Sequence, residues 1–313
     1  MAEMKATRDA YGEALTELGR INDKVVVFDA DLSGSTKTSV FKKEFPERHF
    51  NAGIAENNMT NMAAGMAACG KIPFISTFAV FGTGRNYDAL RSSVCYPKLN
   101  VKCVMSHAGL TVGEDGATHE MLEDVALMNA LPNMTVIVPA DATETRQAVL
   151  ACADIPGPVY IRVGRAKTPI IYGDDYEFVP GKAHVIRQGS DIAIFAMGIM
   201  VARALEAADI LKEEGIDCSV VNISTIKPLD RETILSEAEG KKGVITCEEH
   251  SVMGGLNSVV CQTLSGSGLG VRCVPVAVMD VFGESGTAEA LLEKHGLTAE
   301  GIAAKARELY KSL

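Results

Sequence analysis

The chain has 313 residues, 47% hydrophobic and 22% charged, which gives it the length of about two ordinary domains and the composition of a globular protein with a real core. Its formal charge of −10 argues against nucleic acid or an anionic membrane as the main partner, although a local cluster of Arg or Lys can still bind a phosphorylated small molecule. The eight cysteines form no Cys-x-x-Cys pair, the first residues lack the apolar run of a secretion signal, and nothing approaches the roughly 18 apolar residues of a membrane helix, so the expectation is buried thiols in a reducing cytoplasm.

Short apolar runs alternate with helical patterns along the chain. Residues 25–28 (Val-Val-Val-Phe) read as a buried strand that ends in Asp29-Ala30-Asp31, and 71–76, 101–105, 135–138 and 159–161 continue the series. Between them, 57–69, 86–95, 123–130 and 144–153 repeat apolar residues at helical spacing. Such alternation predicts a largely parallel sheet covered by helices on both faces. Residues 167–188, rich in Pro, Gly, Asp and Tyr, read as a linker between a first domain at 1–166 and a second at 189–313. The second domain repeats the alternation, with strands at 192–196, 218–222, 244–247 and 271–274. Its helices fall at 201–214, 255–264, 287–294 and 299–310, the last with Thr298 as N-cap. The fold class is therefore α/β, in two domains that each hold a largely parallel sheet flanked by helices. The Gly-containing runs at 197–200 and 265–270 lack the strand–helix context of a nucleotide fingerprint and read as turns.

Several residues could carry chemistry, and each also has a plainer reading. Glu56 opens a helix whose neighbours are small and mostly uncharged. It is either a carboxylate that favours a helix N-terminus or a desolvated acid that shares a proton with a nitrogen base. Phe78 and Phe81 are spaced to line one wall of a cleft or simply to pack in a core. His107 follows the strand at 101–105, where parallel-sheet proteins bind ligands, and His119 shares a Gly-rich loop with Glu114 and Asp115. Arg162 and Arg165 close the last strand of the first domain, and their planar forks suit a phosphate.

Together with Ala6-Thr7-Arg8, the stretch 30–35, Ala52-Gly53-Ile54-Ala55-Glu56-Asn57-Asn58, Phe78 to Phe81, Gly113-Glu114-Asp115-Gly116-Ala117-Thr118-His119 and Cys247-Glu248-Glu249-His250-Ser251, this order of motifs resembles the C-terminal portion of a transketolase over nearly the whole chain. The resemblance implies a pyrimidine-binding domain followed by a transketolase C-terminal domain. It casts Glu56 as the carboxylate that hydrogen-bonds the N1′ nitrogen of thiamine diphosphate and promotes deprotonation at thiazolium C2. Phe81 becomes the ring stacked on the aminopyrimidine, with Phe78 beside it and Asp31 near the cofactor. His107 and His119 match histidines that bind sugar hydroxyls and assist proton transfer, and Asp115 matches an acid that reads a donor hydroxyl. Arg8, Ser35 and Arg165 match the end of the channel that takes the acceptor's phosphate.

The sequence also departs from the family pattern. Ala117 replaces a usual Pro, Glu120 replaces a usual Gln, and 82–86 differs in spacing, so Arg85 and Tyr87 receive no role. No Gly-Asp-Gly followed by Asn-Asn, the family's hold on the Mg²⁺ diphosphate, is present. The resemblance therefore implies an N-terminal-type partner subunit that holds Mg²⁺ and the diphosphate, an α₂β₂ assembly with β–β contacts, phosphorylated sugars as substrates, and little activity for this chain alone. Other readings stay open: a transketolase-like subunit specialised for another sugar phosphate, the β subunit of a 2-oxo-acid dehydrogenase, and a non-catalytic paralogue.

Overall fold

Val25-Val26-Val27-Phe28 is a run of β-branched and aromatic residues with nothing polar to present to water, and it forms the strand Val25–Asp29, buried at every position. The computed structural model describes residues 3–312, and this strand lies one place in from the edge of a seven-stranded sheet. The order across that sheet is Thr225–Lys227, Thr135–Ile137, Val159–Arg162, Lys102–Met105, Ile72–Ser76, Val25–Asp29, His49–Asn51. All neighbours are parallel except the first pair.

Side chains alternate across the sheet with the period of two that a pleat imposes. Val25 and Val27 join Tyr11 and Leu15 of the helix Thr7–Ile21 and Val149 of the helix Ala142–Cys152 on one face. Val26 and Phe28 join Met59 of the helix Glu56–Ala68 and Met128 of the helix Asp124–Ala130 on the other.

A second sheet of five strands runs Cys273–Val278, Gly243–Ser251, Ile192–Ala196, Cys218–Asn222, His184–Arg187, parallel except for the last pair. Ile192 and Ile194 pack against the helices Met200–Glu213 and Ala299–Lys311, while Ala193 and Phe195 turn the other way. There they share one apolar cluster with Val136 and Tyr160 of the first sheet, so a single core runs through both halves of the chain.

Five elements depart from the sequence reading. The segment expected to link the domains contains the strand Lys167–Pro169, paired with Met4–Ala6, and the edge strand His184–Arg187. Thr225–Lys227, from the second half, closes the first sheet. The helices Thr7–Ile21 and Arg231–Ala238 lie outside the helical spacings that the sequence pattern predicts. Three- and four-residue strands carry too few alternations to leave a periodic signal. For the site, the consequence that matters is at the C-terminal ends of Val25–Asp29, Ile72–Ser76 and Lys102–Met105. The loops 30–36, 77–85 and 106–120 all leave from that edge, where open parallel sheets place ligands.

Candidate active site

Glu56 takes its position from the chain that precedes it. Ala52 donates its N–H to the Asp29 carbonyl, Gly53 turns the backbone at φ 74°, and the helix Glu56–Ala68 starts three residues later. A glycine supplies that positive φ at no steric cost. The carboxylate ends up buried, with 6% of the residue exposed, at a helix N-terminus whose dipole favours negative charge.

The aromatic wall leaves the next strand. Phe78 bridges to Ser106, and the six-residue turn Val80–Arg85 has the wider π-helical winding. Such turns insert one residue into a helix and recur at functional sites. Gly82 lies inside this turn because a Cβ there would collide with the Met105 thioether. Phe78 and Phe81 are nearly parallel at 5.9 Å, and the His119 ring meets both edge-on, at 6.2 Å from Phe78 and 5.5 Å from Phe81. The winding also returns Arg85 over the Phe81 ring at 4.3 Å, with its guanidinium 3.7 Å from Glu56 Oε1. Asn57 reinforces the arrangement by donating to the Arg85 carbonyl at 3.2 Å. Sequence reasoning missed Arg85. The only signal was the altered spacing at 82–86, which the π-helical turn absorbs.

His107 is held in the left-handed region at φ 59° and is 3% exposed. Its ring stacks on Phe78 at 3.8 Å between centroids. Arg8 Nη1 lies 3.2 Å from His107 Nε2, and Ser106 Oγ lies 2.6 Å from Nδ1. A guanidinium only donates, so Nε2 accepts, and the neutral ring carries its proton on Nδ1 and gives it to Ser106. Burial is the first cause and the positive charges of Arg8 and Arg165 the next in lowering the His107 pKa to about 3, with His119 and Lys37 adding to the effect. The imidazole is therefore neutral at pH 7.

Arg8 also donates to the Ser35 carbonyl at 3.1 Å, so Ser35 joins the cluster through its backbone. Burial lowers the Arg8 pKa, and Arg165 lowers it further. Arg165 donates to the Val112 carbonyl and pairs with Glu114 at 3.3 Å, which fixes it beside the Gly-rich loop. Lys37, in the left-handed region at φ 71° and 3.2 Å from Asp9, adds a third cation that the sequence reading did not select. Arg8, Lys37 and Arg165 thus place positive charge around one neutral imidazole.

Three candidate site residues stand apart from this cluster. Asp115 is exposed on the loop that carries His119. Asp31, exposed and at φ 63°, exchanges hydrogen bonds with Asn51 at 2.9 and 3.1 Å. Arg162, read as a possible phosphate ligand, is buried and engaged elsewhere: it donates to Asp124 at 2.8 Å and to the Glu249 carbonyl at 2.9 Å.

Glu120 follows His119 and is 4% exposed, with neither carboxylate oxygen hydrogen-bonded. Desolvation first, then the nearby Glu249 and Glu284 charges, raise its pKa to about 7 against the smaller opposing pull of the Glu284 N–H, which lies outside good hydrogen-bond geometry. It borders a cavity of about 630 Å³ with Val80, Thr118 and Phe282 in its walls.

Comparison with known proteins agrees with this architecture. Residues 3–170 match the pyrimidine-binding domain of transketolase, and residues 181–302 match the transketolase C-terminal domain. A chain of Methanocaldococcus jannaschii, provisionally named a transketolase C-terminal section, is 48% identical over 98% of this chain and 97% of its own length. A 6-deoxy-6-sulfo-D-fructose transketolase subunit of a Clostridium species is 42% identical over 96% of this chain and 94% of its own. Human transketolase is 37% identical over 97% of this chain, which spans 49% of that longer protein. Among solved structures, a split-gene transketolase described as an inactive β4 tetramer superposes with a TM-score of 0.89 at 51% identity, covering 98% of both chains. The chain accordingly belongs to the transketolase family, as the C-terminal section, pyrimidine-binding plus C-terminal domain, of a split transketolase.

Proposed function

We propose that this chain is the C-terminal subunit of a thiamine-diphosphate-dependent transketolase that moves a two-carbon ketol unit from a ketose phosphate to an aldose phosphate, and that it acts only with an N-terminal-type partner. The observation that carries the reading is the continuity of the site. A buried carboxylate and an aromatic wall lie at one end, and a neutral His107 ringed by Arg8, Lys37 and Arg165 lies at the other.

The residues present fit the cofactor's pyrimidine end. Glu56 offers a buried carboxylate oxygen to a ring nitrogen, and Phe81 offers a flat apolar face once the exposed Arg85 guanidinium moves off it, while Phe78, stacked on His107, backs the Phe81 ring. Bound thiamine diphosphate supplies the carbon nucleophile and electron sink that ketol transfer requires. The chain's own part is to bind and orient. Neutral His107 can exchange its hydrogen bond with Arg8 for one with a sugar hydroxyl, His119 closes the opposite wall, and Asp115 reads a hydroxyl from the exposed loop. Arg8, Lys37 and Arg165 draw in the phosphate end of the sugar. Asp31, paired with Asn51 beside the turn into the Glu56 helix, braces the cofactor side.

Mg²⁺ is assigned to the partner, which on this reading carries the Gly-Asp-Gly and Asn-Asn residues that this sequence lacks. We place the enzyme in the cytoplasm as an α₂β₂ assembly with β–β contacts. The helix Glu56–Ala68 supports those contacts: its exposed positions are Asn57, Asn58, Asn61, Met62, Gly65 and Ala68, with no charge among them. A solvent face normally carries charge, and an uncharged one suits burial against another subunit.

The test is a coupled assay with thiamine diphosphate, Mg²⁺, xylulose 5-phosphate and ribose 5-phosphate, using this chain alone and with its partner subunit. Activity confined to the mixture and lost in Glu56→Ala supports the reading, whereas transfer by the single chain sinks it. A second reading, a different sugar phosphate, draws on the relatives named for sulfofructose and, at 38% identity, for apulose 4-phosphate, and on the unpartnered Glu120 beside His119. An assembled mixture inactive on the pentose phosphates would favour it.

A further inference from the structure

The strand Gly243–Ser251 belongs to the second sheet and stays paired with Cys273–Val278 through Ser251, but its register breaks between Cys247 and Ser251, and residues at that break reach the first domain. Ser251 donates its N–H to the Leu122 carbonyl at 2.7 Å, and Glu249 reaches the start of the substrate loop. Glu249 Oε1 accepts the Thr111 N–H at 2.6 Å across 138 residues of sequence. The same carboxylate lies against Gly109, where any Cβ would collide with it, and Gly109 holds φ 87°. Only glycine satisfies both demands.

Glu249 is itself held. Its Oε2 faces Arg162 Nη1 at 3.9 Å, and Arg162 donates through Nη2 to the Glu249 carbonyl at 2.9 Å and through Nε to Asp124 at 2.8 Å. Tyr160 donates to the same Asp124 oxygen at 2.5 Å. Every member of this chain of contacts is buried: Glu249 is 3% exposed, Arg162 7%, Asp124 and Tyr160 0%. A buried triad of this kind adds little net stability for its charge, and its value lies in the single geometry it permits. Further along the loop, Gly116 abuts the Ser285 hydroxyl, Gly113 faces the Gly286 carbonyl, and Glu120 lies beneath Gly283. The second domain therefore grips the segment 109–120 from Thr111 onward, and that segment carries Asp115 and His119.

We propose that Glu249 is a positioning residue: through its hydrogen bond to Thr111 it makes the second domain set the height of the substrate loop against the aromatic wall. This gives the second domain a part in sugar recognition as well as in packing. It rests on the transketolase reading for its kinetic consequence, but not for its structural one.

Three variants separate reach from charge. Glu249→Asp keeps the anion beside Arg162 but withdraws it from Thr111, Glu249→Gln keeps an oxygen within reach, and Glu249→Ala removes both. Hydrogen exchange of the full chain reads the structural arm. The Thr111 amide and segment 109–120 are expected to exchange about tenfold faster in Glu249→Asp and Glu249→Ala, near wild type in Glu249→Gln, with the sheet amides unchanged in Glu249→Asp. In the complex with the partner subunit, Glu249→Asp is expected to raise KM for xylulose 5-phosphate about tenfold while thiamine diphosphate affinity stays within about twofold, and Glu249→Gln to recover most of the loss. Wild-type exchange at Thr111 in Glu249→Asp overturns the proposal, and so does an unchanged KM in an active complex. If Glu249→Ala does not fold, Glu249→Asp decides. If the wild-type complex transfers no ketol, the functional reading fails while the exchange experiment still decides the loop's anchorage.

Discussion

His107 shows how far burial can change what a residue does. A free imidazole exchanges its proton near pH 6.5, but this one, 3% exposed and facing Arg8 and Arg165, has its pKa lowered to about 3. It contributes hydrogen bonds and no charge. His107→Ala is expected to lower kcat/KM about a hundredfold, while the acidic limb of the wild-type profile shows no ionisation that His107→Gln removes. An acidic limb that disappears in His107→Gln would refute the neutral role. Glu120 is the complementary case. Its carboxyl ionises at about 4.5 when free and at about 7 in the fold, so between those values the native state binds the extra proton. Stability must then fall as pH rises through that window. Glu120→Gln removes the buried charge and is expected to raise the melting temperature by a few degrees at pH 8 and leave it nearly unchanged at pH 4. A loss of stability at pH 8 would show that the ionised oxygens are satisfied after all.

At the scale of elements, Asp141 and Thr298 are both helix N-caps but differ in how much they hold. Thr298 accepts one N–H, from Gly301 at 3.0 Å. Asp141, fully buried, accepts from Glu144 at 2.8 Å and also from Ile171 at 2.7 Å and Tyr172 at 2.8 Å, so it pins the segment between the domains to the helix Ala142–Cys152. Thr298→Ala is expected to cost about 1 kcal/mol, and Asp141→Ala about 3 kcal/mol or more because three donors lose their acceptor, both read by urea unfolding. Equal costs would mean that water replaces the Asp141 contacts. The same comparison shows what was legible in the sequence. Thr298 was readable because a cap lies beside its helix, and Val25–Asp29 because four apolar residues in a row admit few alternatives. Lys102 did not disturb the reading of its strand, and the fold tolerates it because the ammonium donates to the Ile155 and Gly157 carbonyls at 2.6 and 2.9 Å. Asp141's grip on 171–172 and Glu249's on Thr111 could not be read, since they join residues 30 and 138 positions apart. Motifs that are short in sequence brought Phe78, Phe81, His107 and His119 into view, whereas Arg85 depended on a winding that no period of 3.6 or 2 describes.

Across the whole molecule, the apolar cluster shared by both sheets argues that the two halves move as one body, so the assembly proposed above would build on the outer surface rather than between the domains. That surface is acidic overall, with a net charge of −10, and two like copies repel unless they meet where charge is absent. The exposed face of Glu56–Ala68 meets that condition, and nothing lies within 4 Å of where a Gly65 side chain would begin. Close approach of a second helix there would bury the N-terminus that carries Glu56, tying the dryness of the carboxylate to the formation of the assembly. Met62→Arg, at a position 40% exposed, places a cation on that face without disturbing the core. It is expected to leave the fold of the single chain intact by circular dichroism, to lower the mass of the purified assembly in sedimentation, and to lower ketol transfer in proportion to the assembly lost. An arginine variant that sediments and turns over as wild type would refute a β–β contact on this face and separate the environment of Glu56 from assembly.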